Sequence, residues 1–86
     1  MTDIDAAIRQ VLEVHGRLGA VVASLKNDDD LYQKGLSSHA CVNVMLAIED
    51  AFEIEIPEAF LTRATFRTID SIRETVESLG LTNGLG

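Results

Sequence analysis

Two adjacent serines, Ser37 and Ser38, follow Gly35-Leu36 and lead into His39 and a long apolar run. A serine there has two roles open to it. It can cap the start of a helix, and position alone favours that reading for Ser38. It can also carry a covalent phosphodiester, because unpaired N–H groups and the positive end of the helix dipole stabilise an anion at that point. Lys34 adds local positive charge. Physics permits the second role without requiring it. Other chemistry is less well supported. Ser38 and His39 are neighbours, whereas a nucleophile and its base need facing side chains, an orienting acid and a pocket. Asp28, Asp30 and Gly35 hint at a calcium loop, but Tyr32 and His39 stand where such a loop needs oxygen ligands. His39 with Cys41 lacks further ligands at metal-site spacing. No catalytic residue and no metal site are therefore assigned. Cys41 reads as a small core residue, Tyr32 as a packing residue with its hydroxyl in water, and His15 as a cation favouring a helix end.

The elements that would position Ser38 are helical. Ile4, Ile8, Val11, Leu12 and Leu18 recur at helical spacing and predict a first helix over about residues 3 to 17. Thr2 or Asp3 would cap it, and Gly16 and Gly19 would end it. Residues 21–34 have no clear helical face and contain Asn27-Asp28-Asp29-Asp30, which predicts a long loop pinned by Leu25, Leu31 and Leu36. From Ser38 to Phe52 two stripes compete. Cys41, Met45, Ile48 and Phe52 form a core stripe, and His39, Val42, Leu46, Glu49 and Asp50 form a second one. A helix apolar nearly all round in so short a chain must meet a partner, so the second stripe is a candidate docking surface. Glu53-Ile54-Glu55-Ile56 predicts an extended connection burying both isoleucines. Pro57 is expected to open a short helix through about Arg63. Thr68 is a reasonable cap for a last helix with Ile69, Ile72, Val76 and Leu79 on its apolar stripe. Gly80 is expected to stop it, leaving 81–86 as a flexible tail after a single domain over 1–80. The expected fold is all-α, a bundle of three main helices plus one short helix.

Composition narrows the function classes. With 14 Asp and Glu against 7 Lys and Arg in 86 residues, the net charge is −7, which disfavours phosphate backbones and anionic membrane surfaces alike. A hydrophobic fraction of 47% is too high for an acidic disordered tail. No apolar run approaches the roughly 18 residues that span a bilayer. The first residues lack the pattern of a signal peptide, and one cysteine forms no internal disulfide. A cytoplasmic, monomeric module is expected. One small core leaves little material for an enzyme's concave site and its supporting shell, so a protein that works by being bound fits better.

The run Asp30-Leu31-Tyr32-Gln33-Lys34-Gly35-Leu36-Ser37-Ser38-His39, continued by Val42-Asn43-Val44-Met45-Leu46-Ala47-Ile48-Glu49-Asp50-Ala51-Phe52 and Glu53-Ile54-Glu55-Ile56-Pro57, resembles the acyl carrier protein family. Residues 68–76 resemble the start of that family's last helix. The likeness covers about residues 25 to 79. It implies that Ser38 receives 4′-phosphopantetheine from coenzyme A through a phosphopantetheinyl transferase, and that the arm's thiol holds cargo as a thioester. Two features depart from the fatty-acid carriers. Ser37 replaces the usual aspartate, and His39, Ala40 and Asn43 replace acids early in the recognition helix. The segment Leu31-Tyr32-x-x-Gly35-Leu36-Ser37-Ser38, followed by Val42-x-x-Met45-Leu46-x-Ile48-Glu49-x-Ala51-Phe52, instead resembles the aminoacyl carrier proteins. That resemblance implies loading by an amino acid:[carrier protein] ligase resembling a seryl-tRNA synthetase core, with glycine or alanine as cargo and an unknown downstream acceptor. His39, Val42, Leu46, Glu49 and Asp50 would then form the docking face. A specialised fatty-acyl or polyketide carrier and an unmodified helical adaptor stand as alternatives.

Overall fold

The computed structural model describes the backbone of residues 4–85 and the side chains of residues 4–80. Three α-helices, α1 (Ile4–Val14), α2 (Ser38–Phe52) and α3 (Ile69–Leu85), are joined by segments holding two short 3-10 helices, Gly19–Ser24 and Glu58–Phe60. No strand occurs among the described residues, so the architecture is the expected all-α bundle with one more short helix than the sequence implied. The residues expected to cap α1, Thr2 and Asp3, lie outside the described residues.

α1 stops at Val14, three residues short of the expectation, where the backbone hydrogen bonds widen beyond the helical spacing of four. The N–H groups of Gly16 and Leu18 both donate to the Leu12 carbonyl, at 3.1 and 3.3 Å. Gly16 permits this closeness: a Cβ at that position would sit 2.7 Å from the same oxygen. Arg17 then turns the chain with φ 61. α1 contributes the buried Ile8, Val11 and Leu12, and it packs against the first 3-10 helix, α2 and α3.

The segment expected to be a plain loop differs in its first part, where Gly19–Ser24 forms a 3-10 helix that buries Val22. One buried side chain in six residues is too sparse a signal for periodicity to detect. The remainder is an ordered loop. Leu25, Leu31 and Leu36 are buried, as expected. The Leu31 N–H donates to the Arg67 carbonyl at 2.7 Å and the Asp70 N–H to the Asn27 carbonyl at 3.0 Å, which stitches the loop to the start of α3. Arg9 of α1 donates to Val22 O at 2.9 Å and to Asn27 Oδ1 at 2.7 Å. Two of the three aspartates of the acidic run are engaged within the fold. Asp29 accepts the Lys26 N–H at 2.8 Å; Asp30 accepts the Tyr32 N–H at 3.0 Å and pairs with Arg67 at 3.4 Å.

α2 buries Ala40, Val44 and Ile48. This corrects the expected core stripe: Cys41, Met45 and Phe52 are half-buried on its flank. The inward face is displaced by one residue, about 100°, from the stripe judged on bulk alone, with the small Ala40 in its first turn. Glu53, with φ 53, closes α2; the Glu53 and Ile54 N–H groups both donate to the Glu49 carbonyl. Ile54 and Ile56 are buried, as the extended reading required. Pro57 precedes the second 3-10 helix rather than opening it, and that helix ends at Phe60 because Leu61 leaves helical geometry at ψ 62. Thr68 caps α3 as expected: its Oγ1 accepts the Ser71 N–H at 3.0 Å, and Ser71 Oγ accepts the Thr68 N–H at 3.1 Å. Ile69, Ile72 and Val76 are buried, with Leu79 packed against them. The helix does not stop at Gly80. It continues to Leu85, since an interior glycine costs about 1 kcal/mol but breaks no hydrogen bond.

Candidate functional site

The start of α2 assigns the two serines different roles. Ser37 is the cap, with extended backbone (φ −89, ψ 160) and its Oγ accepting the Ala40 N–H at 3.0 Å. The capping role that position alone favoured for Ser38 therefore falls to its neighbour. Ser38 is the first helical residue, and its side chain is exposed. Its hydroxyl has no partner among the described residues, nor do the N–H groups of Ser38 and His39. The result is an exposed hydroxyl oxygen beside two amides that find no acceptor among the described residues, at the positive end of a 15-residue helix. Gly35, at φ 120, makes the reversal that delivers this turn to the surface.

Ser38 also lies on the rim of an open pocket of about 310 Å³, lined with Tyr32, Cys41, Val42, Met45, Leu61, Thr62, Arg63 and Phe66. Cys41 is not the core residue expected from its stripe; its thiol donates to the Tyr32 hydroxyl at 3.5 Å. Nor is that hydroxyl left to water, since it donates to the Arg63 carbonyl at 3.2 Å. Burial first, then the bond with Cys41, pushes the Tyr32 phenol above its ordinary value, so it remains protonated at neutral pH. The Arg63 guanidinium stacks 4.0 Å from the ring centroid.

The five expected docking residues divide. His39 and Asp50 are exposed, and Val42 and Leu46 are 52% and 53% exposed, unusually open for large aliphatic side chains. Val42 faces the Ser38 pocket, whereas Leu46 and Asp50 line a groove between α2 and α1 that also holds Val14, His15 and Asn43. Glu49 is only half-exposed, and its carboxylate accepts the Ile56 N–H at 2.8 Å, tying down the extended connection. Sequence reasoning missed Met45, Leu61 and Arg63 as neighbours of Ser38. Arg63 comes from an irregular turn 25 positions further along the chain, where no local pattern announces a site.

The phosphopantetheine attachment site family matches residues 4–79. An aminoacyl carrier protein from Agrobacterium fabrum is 43% identical over 74 residues, 86% of this chain and 89% of that protein. The chain belongs to the aminoacyl carrier proteins. Solved structures agree. One is a carrier protein from Agrobacterium tumefaciens, crystallised with an engineered Bradyrhizobium japonicum glycine:[carrier protein] ligase and AMP. It is 44% identical, with TM-score 0.81, covering 85% of this chain and 97% of that one. A solution structure from Agrobacterium tumefaciens is 39% identical, with TM-score 0.75, covering 95% of this chain and 99% of that one.

Membership makes this a carrier rather than a catalyst, and it implies covalently attached 4′-phosphopantetheine. The residues at the start of α2 fit such a group. Attachment needs an exposed hydroxyl whose phosphodiester is tolerated once formed, and the free amides of the first turn provide that tolerance. Among the described residues no helix is long and apolar enough to cross a membrane.

Proposed function

We propose that this chain carries an aminoacyl group on a 4′-phosphopantetheine arm bound to Ser38 Oγ. The observation that carries the assignment is the capping role of Ser37, which leaves the next hydroxyl exposed at the helix start and without a hydrogen bond among the described residues. A transferase would move the phosphopantetheinyl group from coenzyme A to Ser38: the Ser38 O–P bond forms, the bond to 3′,5′-ADP breaks, and the transferase removes the hydroxyl proton. When bound, the arm supplies a terminal thiol on which cargo is held as a thioester. The chain itself supplies the tether point and a surface that each partner recognises. Tethering raises the cargo's effective concentration at the partner's active site.

The partner for loading is an amino acid:[carrier protein] ligase with a seryl-tRNA-synthetase-like core, acting on a monomeric carrier, with glycine or alanine as cargo. The related carrier crystallised with a glycine:[carrier protein] ligase supports this choice. On this chain the ligase would meet Val42 and His39 beside Ser38, with Leu46 and Asp50 along the neighbouring groove. Contacts of this size are small, which suits a carrier that must leave one enzyme for the next.

The test incubates the phosphopantetheinylated chain with such a ligase, ATP and either glycine or alanine, and reads the intact mass before and after hydroxylamine. The expected result is one aminoacyl addition that hydroxylamine removes. A chain that accepts no amino acid, yet is acylated by a fatty-acyl or malonyl transfer enzyme, would overturn the aminoacyl assignment while preserving the carrier.

A further inference from the structure

The Ser38 pocket contains one charged side chain, Arg63, and that side chain is unusually constrained for a surface arginine. Its guanidinium lies 4.0 Å from the centroid of the Tyr32 ring, and the same tyrosine's hydroxyl donates to the Arg63 carbonyl at 3.2 Å. The ring is in turn fixed by the Cys41 thiol at 3.5 Å. Side chain and backbone of Arg63 are thus both tied to one half-buried ring. Three other arginines are committed elsewhere, Arg67 to Asp30, Arg73 to Asp5, Asp70 and Glu77, and Arg9 to Val22 and Asn27, while Arg17 does not line this pocket. Arg63 has no carboxylate partner among the described residues, in a chain of net charge −7. An acidic protein therefore holds a guanidinium without a carboxylate partner among the described residues, stacked on Tyr32 and lining the pocket that Ser38 also lines. Val42, Met45, Leu61 and Phe66 make the rest of that wall mostly apolar.

We infer that Arg63 is the counter-ion of the phosphodiester carried by Ser38, holding the root of the arm over the pocket walled by Val42, Met45 and Leu61. The inference rests on the reading of Ser38 as the attachment point. A guanidinium suits the task better than an ammonium, because its planar fork offers paired donors to phosphate oxygens and it stays charged at every working pH. Stacking on Tyr32 removes much of the rotamer freedom that a surface arginine would otherwise lose on binding the phosphate. Arg63 would be a positioning residue, narrowing the directions in which the arm leaves the carrier.

The test uses the full chain converted with coenzyme A and a phosphopantetheinyl transferase, as wild type and Arg63→Gln, with the Ser38 addition verified by mass. Proton–nitrogen spectra follow the Arg63 Nε–H and the backbone amides, and phosphorus relaxation reports the mobility of the phosphodiester. Conversion of the wild type is expected to shift the Arg63 Nε–H and the amides of residues 61–66 together with those of 37–42. The phosphorus should relax as part of the folded body in the wild type and move several-fold more freely in Arg63→Gln. Raising salt to about 0.5 M should carry the wild type toward the variant, because partly exposed charge pairs are screened. Complete modification of Ser38 with an unmoved Arg63 Nε–H and equal phosphorus relaxation in both proteins would overturn the inference and leave the attachment site standing. Failure of Ser38 to accept the group would overturn both. The wild-type Nε–H readout stands even if the variant folds poorly.

Discussion

The side of the molecule where α1 meets α3 and the face at the start of α2 are both polar and partly exposed, yet they differ in one respect. Between α1 and α3 the charges are mutually satisfied. Arg73 reaches Asp5, Asp70 and Glu77 at 3.2–3.4 Å, and Asn27 bridges Asp5 and Arg9. At the start of α2, among the described residues, the Ser38 hydroxyl and two amides have no hydrogen-bond partner, nearby Arg63 has no carboxylate partner, and Val42 and Leu46 stand open to solvent. Satisfied groups have nothing left to offer a ligand. Unsatisfied ones beside exposed apolar side chains mark where something else is meant to bind. Substitutions on the two sides should therefore fail in different assays.

The largest effect on stability belongs to the core that both sides share. Ile72, 1% exposed, anchors α3, and Ile72→Ala should cost about 2–5 kcal/mol, seen as a lowered denaturant midpoint with little change in slope. On the α2 face the effect should move to partner recognition. Val42→Glu should slow ligase loading at least about tenfold, about 1.4 kcal/mol of binding, while leaving thermal stability within about 0.5 kcal/mol of wild type. A loading rate unchanged by Val42→Glu, with loss in Leu46→Glu, would move the interface onto the α1–α2 groove. A smaller change is expected at Glu53, a non-glycine residue held at φ 53. Glu53→Gly should gain up to about 1 kcal/mol by relieving left-handed strain, read by the same denaturation curve.

The smallest effect at neutral pH concerns Tyr32, the chain's sole tyrosine. Its folded phenol is raised above the ordinary 10.0, chiefly by burial and then by Cys41. The folded state therefore keeps the proton that the unfolded state releases, so this contribution is complete below pH 10 and is lost as pH rises through the higher folded value. Phenolate absorbance should accordingly appear only above pH 10 in the native protein, and Cys41→Ala should move its onset down.

Much of this arrangement was legible in the sequence. The buried Leu25, Leu31 and Leu36, the extended Ile54 and Ile56, the Thr68 cap and the α3 stripe all follow from residue type and spacing. What escaped was set by geometry rather than by type. The small Ala40 takes an inward position, with Cys41 and Met45 on the pocket wall. Glu49 was claimed by a backbone amide seven residues away, and Arg63 reached Ser38's pocket through the tertiary packing of an irregular turn. Neither contact has a sequence period to reveal it. The choice between Ser37 and Ser38 as cap was likewise decided by a single turn of backbone, φ −89 and ψ 160 at Ser37.

That division of labour between adjacent serines is the central claim, and intact mass measurement tests it directly. Wild type, Ser37→Ala and Ser38→Ala are incubated with coenzyme A and a broad-specificity phosphopantetheinyl transferase, beside a competent control carrier. Wild type and Ser37→Ala should each gain one phosphopantetheinyl group, the latter with a helix weakened by about 1 kcal/mol through loss of its cap. Ser38→Ala should gain none. Addition to Ser38→Ala, or no addition to wild type while the control is modified, would contradict the account.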